Sequence, residues 1–411
     1  MRFGLERMRR LLAELGDPQD ATPAIHVVGT NGKSSTTLLT AAALRSQGLT
    51  AGTFTSPHLI SFRERIELAG ASIDPEAFVR AGEVVRDVIV HDDRTAAQDD
   101  QVTQFEAMTL IAFLAFRQHA VDVAVVEAGL GGRLDSTNVL GDSRVQVLTT
   151  VGIDHTQYLG DTIEQIAREK LAIVRSRSAL VSGPLGPVAA QVANQVTDER
   201  DARWIKVREE DAAFADLKGE FVRQNASLAL AVAEVSFPRL RHGAEFERAS
   251  AIEAIARLAR DQGIAGRLQF TNADPFEIRD AAHNEEAAAA LVGALRELAE
   301  GRPVTLLVAM LDDKPVQNTL IQLLTAVADD GVVVCTRSSN PRSLSAAVLA
   351  SRVRAADVND SLRVESVDDP LAALGRAREI AGRSGLLCVT GSNYLLADLL
   401  RAPGSSAGAT L

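Results

Sequence analysis

From Ala24 onward the chain alternates between short apolar runs and stretches whose apolar residues recur every three or four positions. Ala24–Gly29, Thr50–Thr55, Val121–Glu127 and Val145–Val151 are continuous and rich in β-branched residues, the pattern of strands covered on both faces. Between them, Lys33–Gln47, Pro75–Val90, Thr103–His119, Thr162–Arg175 and Val222–Glu234 read as helices, and Ser61–Asp74 as a polar stretch. The pattern restarts after Gly266, with strands at Phe276–Ala281, Val304–Ala309, Val332–Thr336, Leu362–Val367 and Leu386–Thr390. Helical patterns at Glu285–Ala299, Gln317–Ala328, Leu344–Ala356 and Pro370–Ala381 separate these strands. Alternation of this length predicts an α/β fold with parallel sheets. A helical pattern ends in Gly263 and Gly266, so the break is expected at Asp261–Arg267, dividing a larger domain (residues 1–264) from a smaller one (265–411).

A length of 411 residues fits two or three domains. The 46% hydrophobic and 24% charged composition belongs to a folded chain rather than a disordered one. The tail Pro403–Thr410 is of low complexity and is expected to be disordered. No uncharged apolar run is long enough to span a bilayer, and the charged start (Arg2, then Glu6–Arg10) lacks the apolar core of a secretion signal, so no membrane partner and a cytoplasmic location are expected. The two cysteines, Cys335 and Cys388, lie in strand-like runs and form neither a disulfide framework nor a four-ligand zinc site by themselves. A net charge of −11 argues against nucleic acid as a partner but not against small anions held by local donors. Only five lysines (Lys33, Lys170, Lys206, Lys218 and Lys314) stand against 38 arginines, which directs attention to positions where a primary amine does what a guanidinium cannot.

The strongest local signal is Gly29-Thr30-Asn31-Gly32-Lys33-Ser34-Ser35, which follows a strand and opens a helix. Backbone N–H groups of such a loop cradle phosphate oxygens and the helix N-terminus adds its positive dipole end. Lys33 is placed to reach the terminal phosphates, and Ser34 or Ser35 to contact Mg²⁺. Val27 stands where a Walker loop has its first glycine, so the loop is a shortened one.

Further segments carry a family resemblance: Phe54-Thr55-Ser56-Pro57-His58-Leu59, the glycine-rich run from Glu127 to Asn138, Gly152-Ile153-Asp154-His155-Thr156, Ala167-Arg168-Glu169-Lys170-Leu171-Ala172-Ile173, and Asp280-Ala281-Ala282-His283-Asn284. With the phosphate loop, they make the chain, from about Ala24 to Leu396, resemble folylpolyglutamate synthase/dihydrofolate synthase within the Mur ligase superfamily. The resemblance implies an N-terminal P-loop ATPase domain and a smaller C-terminal Rossmann-like domain with the active site between them. It implies an ATP-dependent ligase that joins glutamate to a pterin-containing acid, with ADP and phosphate released, acting as a monomer on small-molecule substrates (pteroate or folate, glutamate and ATP). Ser56, Glu127 and His155 resemble the family's ligands for a Mg²⁺ near the γ-phosphate, and hard oxygen donors suit that ion. Lys170 matches a lysine that reacts with CO₂ to give a carbamate able to hold a second Mg²⁺, chemistry open to lysine but not arginine; the alternative is a surface lysine paired with Glu169 or Glu164. Asn225 resembles the adenine-binding asparagine, Arg267 an arginine that reaches the ATP phosphates, Asp280 a ribose contact, and His283 and Ser392 contacts of the incoming glutamate. Leu59–Ile66 resembles the substrate loop, with Phe62 and Arg63 unassigned, and Lys314 reads as half of a surface ion pair.

The sequence departs from the family pattern at several places. Ser34 replaces a glycine, as in cell-wall ligases; Phe221 and Val222 replace a His-Gln pair before the adenine-binding asparagine; Ala172 replaces a glycine after Lys170. Two alternatives therefore stand beside the folate ligase. One is a divergent Mur-type ligase with another carboxylate acceptor, against which the short stretch before Ala24 counts, being too small for a uridine-nucleotide domain. The other is a non-catalytic nucleotide-binding subunit, against which the presence of Ser56, Glu127, His155 and Lys170 counts.

Overall fold

The structure, a computed structural model, describes residues 4–93, 101–141, 143–271, 274–312, 316–328, 330–357 and 361–401. Lys314 and the tail 403–410 lie outside these residues. The chain forms two compact units: Met1–Ala215 with Arg223–Ala259, and Asp216–Val222 with Arg260–Leu411. The units do not meet at one cut between residues 264 and 265, because the short segment Asp216–Val222 groups with the second unit.

The first unit is built on eight strands, β1 (Ala24–Val28), β2 (Ala51–Phe54), β3 (Ile66–Leu68), β4 (Ala71–Ser72), β5 (Val123–Glu127), β6 (Ser143–Leu148), β7 (Ala179–Ser182) and β8 (Arg203–Lys206), ordered β4-β3-β2-β5-β1-β6-β7-β8. Strands β1, β2, β5, β6, β7 and β8 run parallel. The sheet is not wholly parallel as expected: the polar stretch after Ser61 turns through a 3₁₀ segment (Phe62–Arg65) into β3 and β4, which add antiparallel at the edge. Every residue of β1, β2 and β5 is buried, which is why these runs read as strands. One core joins Phe54, Ala124 and Val126 to the helices Leu5–Glu14 and Gln104–Gln118; another joins Val28, Leu148 and Leu180 to the helices Ile163–Leu171 and Pro187–Glu199. A buried ion pair, Arg7 Nη2 to Glu106 Oε1 and Oε2 at 2.7 and 2.8 Å, ties the first helix to the capping box of Gln104–Gln118.

Topology fixes where chemistry gathers. Register pairs Val27 with Glu127, Val28 with Leu148 and Phe54 with Val126, so the C-terminal ends of β1, β2, β5 and β6 leave one edge of the sheet together. Gly29, Ser56, Glu127 and Thr149 follow at that edge, the side on which open α/β sheets bind ligands.

The second unit has strands β9 (Gln269–Thr271), β10 (Phe276–Arg279), β11 (Val304–Val308), β12 (Val332–Cys335), β13 (Arg363–Ser366) and β14 (Leu386–Thr390), ordered β13-β12-β11-β14-β10-β9. All are parallel except the antiparallel edge strand β9. Ile278, Leu306, Cys335 and Cys388 are part of its core, and both cysteines are free and buried, with burial raising the Cys335 thiol to about 12. Among the described residues no helix is long and apolar enough to cross a membrane.

Candidate active site

The phosphate loop joins β1 to the helix Lys33–Ser46. Gly32 caps that helix at φ 81°, a left-handed conformation that disfavours any side chain, and a Cβ there would lie 2.5 Å from Asn225 Oδ1. The structure thus brings Asn225 onto the loop, where its Oδ1 also accepts from Thr36 Oγ1 at 3.4 Å. Thr30 and Asn31 face protein: Thr30 N donates to Thr150 O (2.9 Å) and Asn31 N to Thr150 Oγ1 (3.1 Å). The amides of the first turn of Lys33–Ser46 lie at a helix start, where N–H groups lack intrahelical carbonyls and suit an anion.

Lys33 Nζ donates to Gly29 O and Thr30 O, both at 3.1 Å. Lys170 Nζ donates to the same Gly29 O at 2.8 Å, from the last turn of Ile163–Leu171, and is only 3% exposed. The surface-lysine alternative is therefore excluded: Glu169 pairs with Arg133 (2.9 Å) and Glu164 with Arg168 (3.2 Å). Two of the five lysines thus converge on one carbonyl of the phosphate loop.

Glu127 ends β5 as a carboxylate 1% exposed, and its Oε2 accepts Ser56 N–H at 3.2 Å. Ser34 Oγ reaches Ser56 O at 3.4 Å, so Ser34, Ser56 and Glu127 form a chain across the sheet edge. His155 sits at φ 51° before the short helix Thr156–Leu159, with its ring 44% exposed and Nε2 3.8 Å from Asp154 Oδ1. Among the described residues no three His, Cys, Asp or Glu side chains cluster as a metal cage. The donors the structure places side by side at this edge are the Glu127 carboxylate and Ser56, a hard-oxygen pairing. That set suits Mg²⁺, which keeps waters and takes phosphate oxygens rather than a full protein cage.

The glycine-rich run after Glu127 is braced from within. Asp135, 6% exposed, accepts from Leu130 N (2.8 Å), Thr137 N (3.0 Å) and Thr137 Oγ1 (2.5 Å), and burial pushes its carboxyl above the usual range despite these donors. Since the Thr137 hydroxyl proton goes to the carboxylate, its oxygen must accept from His26 Nε2, 2.8 Å away on β1. That fixes the His26 tautomer with Nδ1 bare, and Nδ1 has no hydrogen-bond partner among the described residues. Burial, with the Arg175 charge adding to it, lowers His26 to about 3. Arg175 in turn grips Asn138 Oδ1 (2.8 Å) and Leu140 O (3.2 Å) at the end of the run. Sequence reasoning missed His26, Thr149, Thr150 and Arg175, whose side chains read as ordinary interior or surface positions.

In the substrate-loop segment, Glu64 accepts from the amides of Leu59, Ile60 and Ser61, and Arg63 Nε donates to Ile73 O at 2.8 Å, so Arg63 has a structural task. Arg65 Nε donates to His58 Nδ1 at 2.9 Å, beneath the Phe62 ring packed 4.4 Å from the imidazole.

In the second unit, Asp280 accepts Leu268 N–H (2.7 Å) and Ala282 N–H (2.8 Å), and burial raises its carboxyl against the opposing charge of Arg267. Arg267 Nη1 donates to Gly266 O at 3.0 Å. His283 Nδ1 lies 2.7 Å from Ala281 O, and Asn284 caps Glu285–Ala299. Ser392 caps Asn393–Leu400 through Tyr394 N (3.1 Å). Arg267, Asp280 and His283 therefore share one loop system at the end of β10, while Ser392 follows β14 beside it. Phe221 and Val222 pack against this unit's core, which is the use made of the apolar pair in place of His-Gln.

Residues 27–225 match the Mur ligase middle domain, and residues 266–393 the Mur ligase glutamate ligase domain. The chain is 31% identical to the dihydrofolate synthase/folylpolyglutamate synthase of Bacillus subtilis, with 96% of this chain and 94% of the relative covered. It superposes on the Mycobacterium tuberculosis folylpolyglutamate synthase complexed with ADP and AMPPCP with a TM-score of 0.86 at 30% identity, covering 97% and 95% of the two chains. A bifunctional folylpolyglutamate synthase/dihydrofolate synthase with Mn, AMPPNP and L-glutamate bound matches with a TM-score of 0.80 at 28% identity, covering 97% and 94%.

Proposed function

This chain belongs to the dihydrofolate synthase/folylpolyglutamate synthase family of ATP-dependent ligases, and from that premise we propose that it joins L-glutamate to dihydropteroate, to a folate, or to both through an acyl phosphate. The observation that carries the proposal is the convergence of Lys33 and buried Lys170 on Gly29 O, beside Ser56 and Glu127 at the same sheet edge.

A carboxylate is a poor acyl donor, so the acceptor carboxylate oxygen first attacks the γ-phosphorus of ATP and ADP leaves. The amine of glutamate then attacks the acyl carbon, and phosphate leaves from the tetrahedral intermediate as the amine gives up its proton. Both steps are governed by positioning and charge neutralisation. The first-turn amides of Lys33–Ser46 hold the phosphates, and Lys33 exchanges two loop carbonyls for phosphate oxygens when the nucleotide enters. Ser56, Glu127 and His155 are the residues that would hold a divalent cation, and such an ion supplies neutralisation of phosphoryl charge when bound. Lys170 is read as the carbamate lysine. A carbamate keeps one N–H on Nζ, so the bond to Gly29 O survives the modification while the side chain changes from cation to anion, able to serve a second Mg²⁺.

Asn225 is assigned to adenine, Arg267 to the nucleotide phosphates, Asp280 to the ribose, and His283 and Ser392 to glutamate. Both Asp280 oxygens already accept backbone N–H groups, so a ribose hydroxyl would take a second lone pair. The reaction is placed in the cytoplasm, in keeping with two free buried thiols, and in a single copy of the chain. Light scattering of the purified protein tests that last point.

The deciding experiment is glutamate- and acceptor-dependent ADP release from Mg²⁺-ATP. Release with dihydropteroate establishes the dihydrofolate synthase step, and release with tetrahydrofolate the folylpolyglutamate step. Silence with both acceptors, in protein that binds ATP, would move the acceptor to another carboxylic acid.

A further inference from the structure

We propose that Thr149 and Thr150, which follow β6 and appear in no motif of the sequence, are positioning residues that set nucleotide affinity by holding Asn31 of the phosphate loop. The proposal rests on the nucleotide-binding reading of that loop.

The two hydroxyls take Asn31 from both sides of its backbone: Thr149 Oγ1 donates to Asn31 O at 2.5 Å, and Thr150 Oγ1 accepts Asn31 N–H at 3.1 Å. Thr149 is 2% exposed, and a Cβ on Gly29 would overlap its hydroxyl, so loop and threonine are fitted without slack. The consequence is directional. In a trans peptide the C=O and the following N–H point opposite ways, so pinning Asn31 O toward Thr149 aims Gly32 N–H away from β6, as the first of the helix-end donors. Thr150 also takes up Thr30 N–H and Asn31 N–H, so these two amides are turned to β6 rather than to an anion at the helix start. The same segment continues to Gly152, whose N–H and C=O both bond the Thr30 hydroxyl (3.0 and 3.2 Å), and then to His155. The phosphate loop and the segment that carries His155 are thereby fastened in one piece.

The test uses the full chain and four substitutions: Thr149→Val, Thr149→Ser, Thr150→Val and Thr150→Ser. Binding of ADP and AMPPNP with Mg²⁺ is measured by calorimetry, alongside KM for ATP and kcat. Each valine variant is expected to bind nucleotide at least tenfold more weakly, with KM for ATP rising in step and kcat changing less than KM. Each serine variant keeps the hydroxyl and is expected within threefold of the parent. Valine variants that bind like the parent would overturn the proposal, and so would serine variants as weak as the valine ones, since the methyl group would then be what matters. Should Thr149→Val fail to fold, the half-buried Thr150 pair of variants decides alone. A parent that binds neither nucleotide would instead refute the functional reading of the loop.

Discussion

Lowering the pH from 7.5 to 5 should destabilise the first unit by about 2 kcal/mol through His26 alone. The group has an ordinary value of 6.5 and is lowered to about 3 in the fold, because its ring is buried in β1 with a bare Nδ1 that protein cannot solvate. A base whose folded value is depressed contributes stability that is complete above 6.5 and is lost as pH falls from 6.5 toward 3, since the unfolded chain takes up the proton first. At pH 5 the unfolded imidazole is nearly all protonated and the folded one is not, a gap of about 1.5 pH units at roughly 1.4 kcal/mol each. Asp135 and Asp280 act in the opposite sense: their raised carboxyls take up protons in the fold first, so acid favours the fold just above their ordinary range. The assay must therefore be differential. Urea unfolding of the parent and of His26→Gln, which keeps a donor toward Thr137, should give stability curves that diverge by about 2 kcal/mol between pH 7.5 and 5. Parallel curves would refute a neutral, unpartnered His26.

Three further outcomes are expected. Lys170→Ala should lose most ADP release while retaining nucleotide binding, with partial recovery in added short carboxylates; full activity without them would sink the carbamate assignment. Gly32→Ala should raise KM for ATP at least tenfold, because φ 81° costs a side chain about 1–2 kcal/mol and its Cβ meets Asn225 Oδ1. Combining it with Asn225→Ala removes the overlap but not the backbone cost, so a double-mutant cycle should show sub-additive losses, whereas strict additivity would deny the contact. Arg7→Met should cost about 3–5 kcal/mol in thermal or urea unfolding by stranding buried Glu106, and Arg7→Met with Glu106→Gln should recover part of it.

Strands β1, β5, β11 and β14 were legible because all their residues are buried, leaving short runs in which apolar residues predominate. Strand β8 was not, since its residues are exposed or half-buried and alternate in no decisive way. Leu5–Glu14 hides its buried Leu5, Met8, Leu11 and Leu12 among arginines and glutamates, one of which, Arg7, is itself buried by pairing with a residue 99 positions away. The antiparallel edges β3–β4 and β9 are too short to carry a period. Within the site, glycines and charged groups stand out in sequence because a backbone conformation or an ion requires them. His26 and Thr149 do not, because a histidine or threonine inside an apolar run looks like filler until its partner is known. Those partners, Thr137 and Asn31, lie 111 and 118 residues away in the chain.

The departures at Phe221 and Val222 take on meaning from the same kind of accounting. A His-Gln pair there would present polar groups, but this chain places both side chains against the second unit's core, where burying apolar area is favourable and an unpaired polar atom would cost about 1–3 kcal/mol. The exchange thus stabilises the junction of Asp216–Val222 with its unit and removes polar contacts from the turn of helix just before Asn225. Asn225, one turn on in that helix, keeps its Oδ1 against Gly32 of the phosphate loop and Thr36. Restoring Phe221→His and Val222→Gln together should lower the melting temperature and leave Gly32-dependent phosphate binding intact. Unchanged stability would mean that the apolar pair is not what secures this segment.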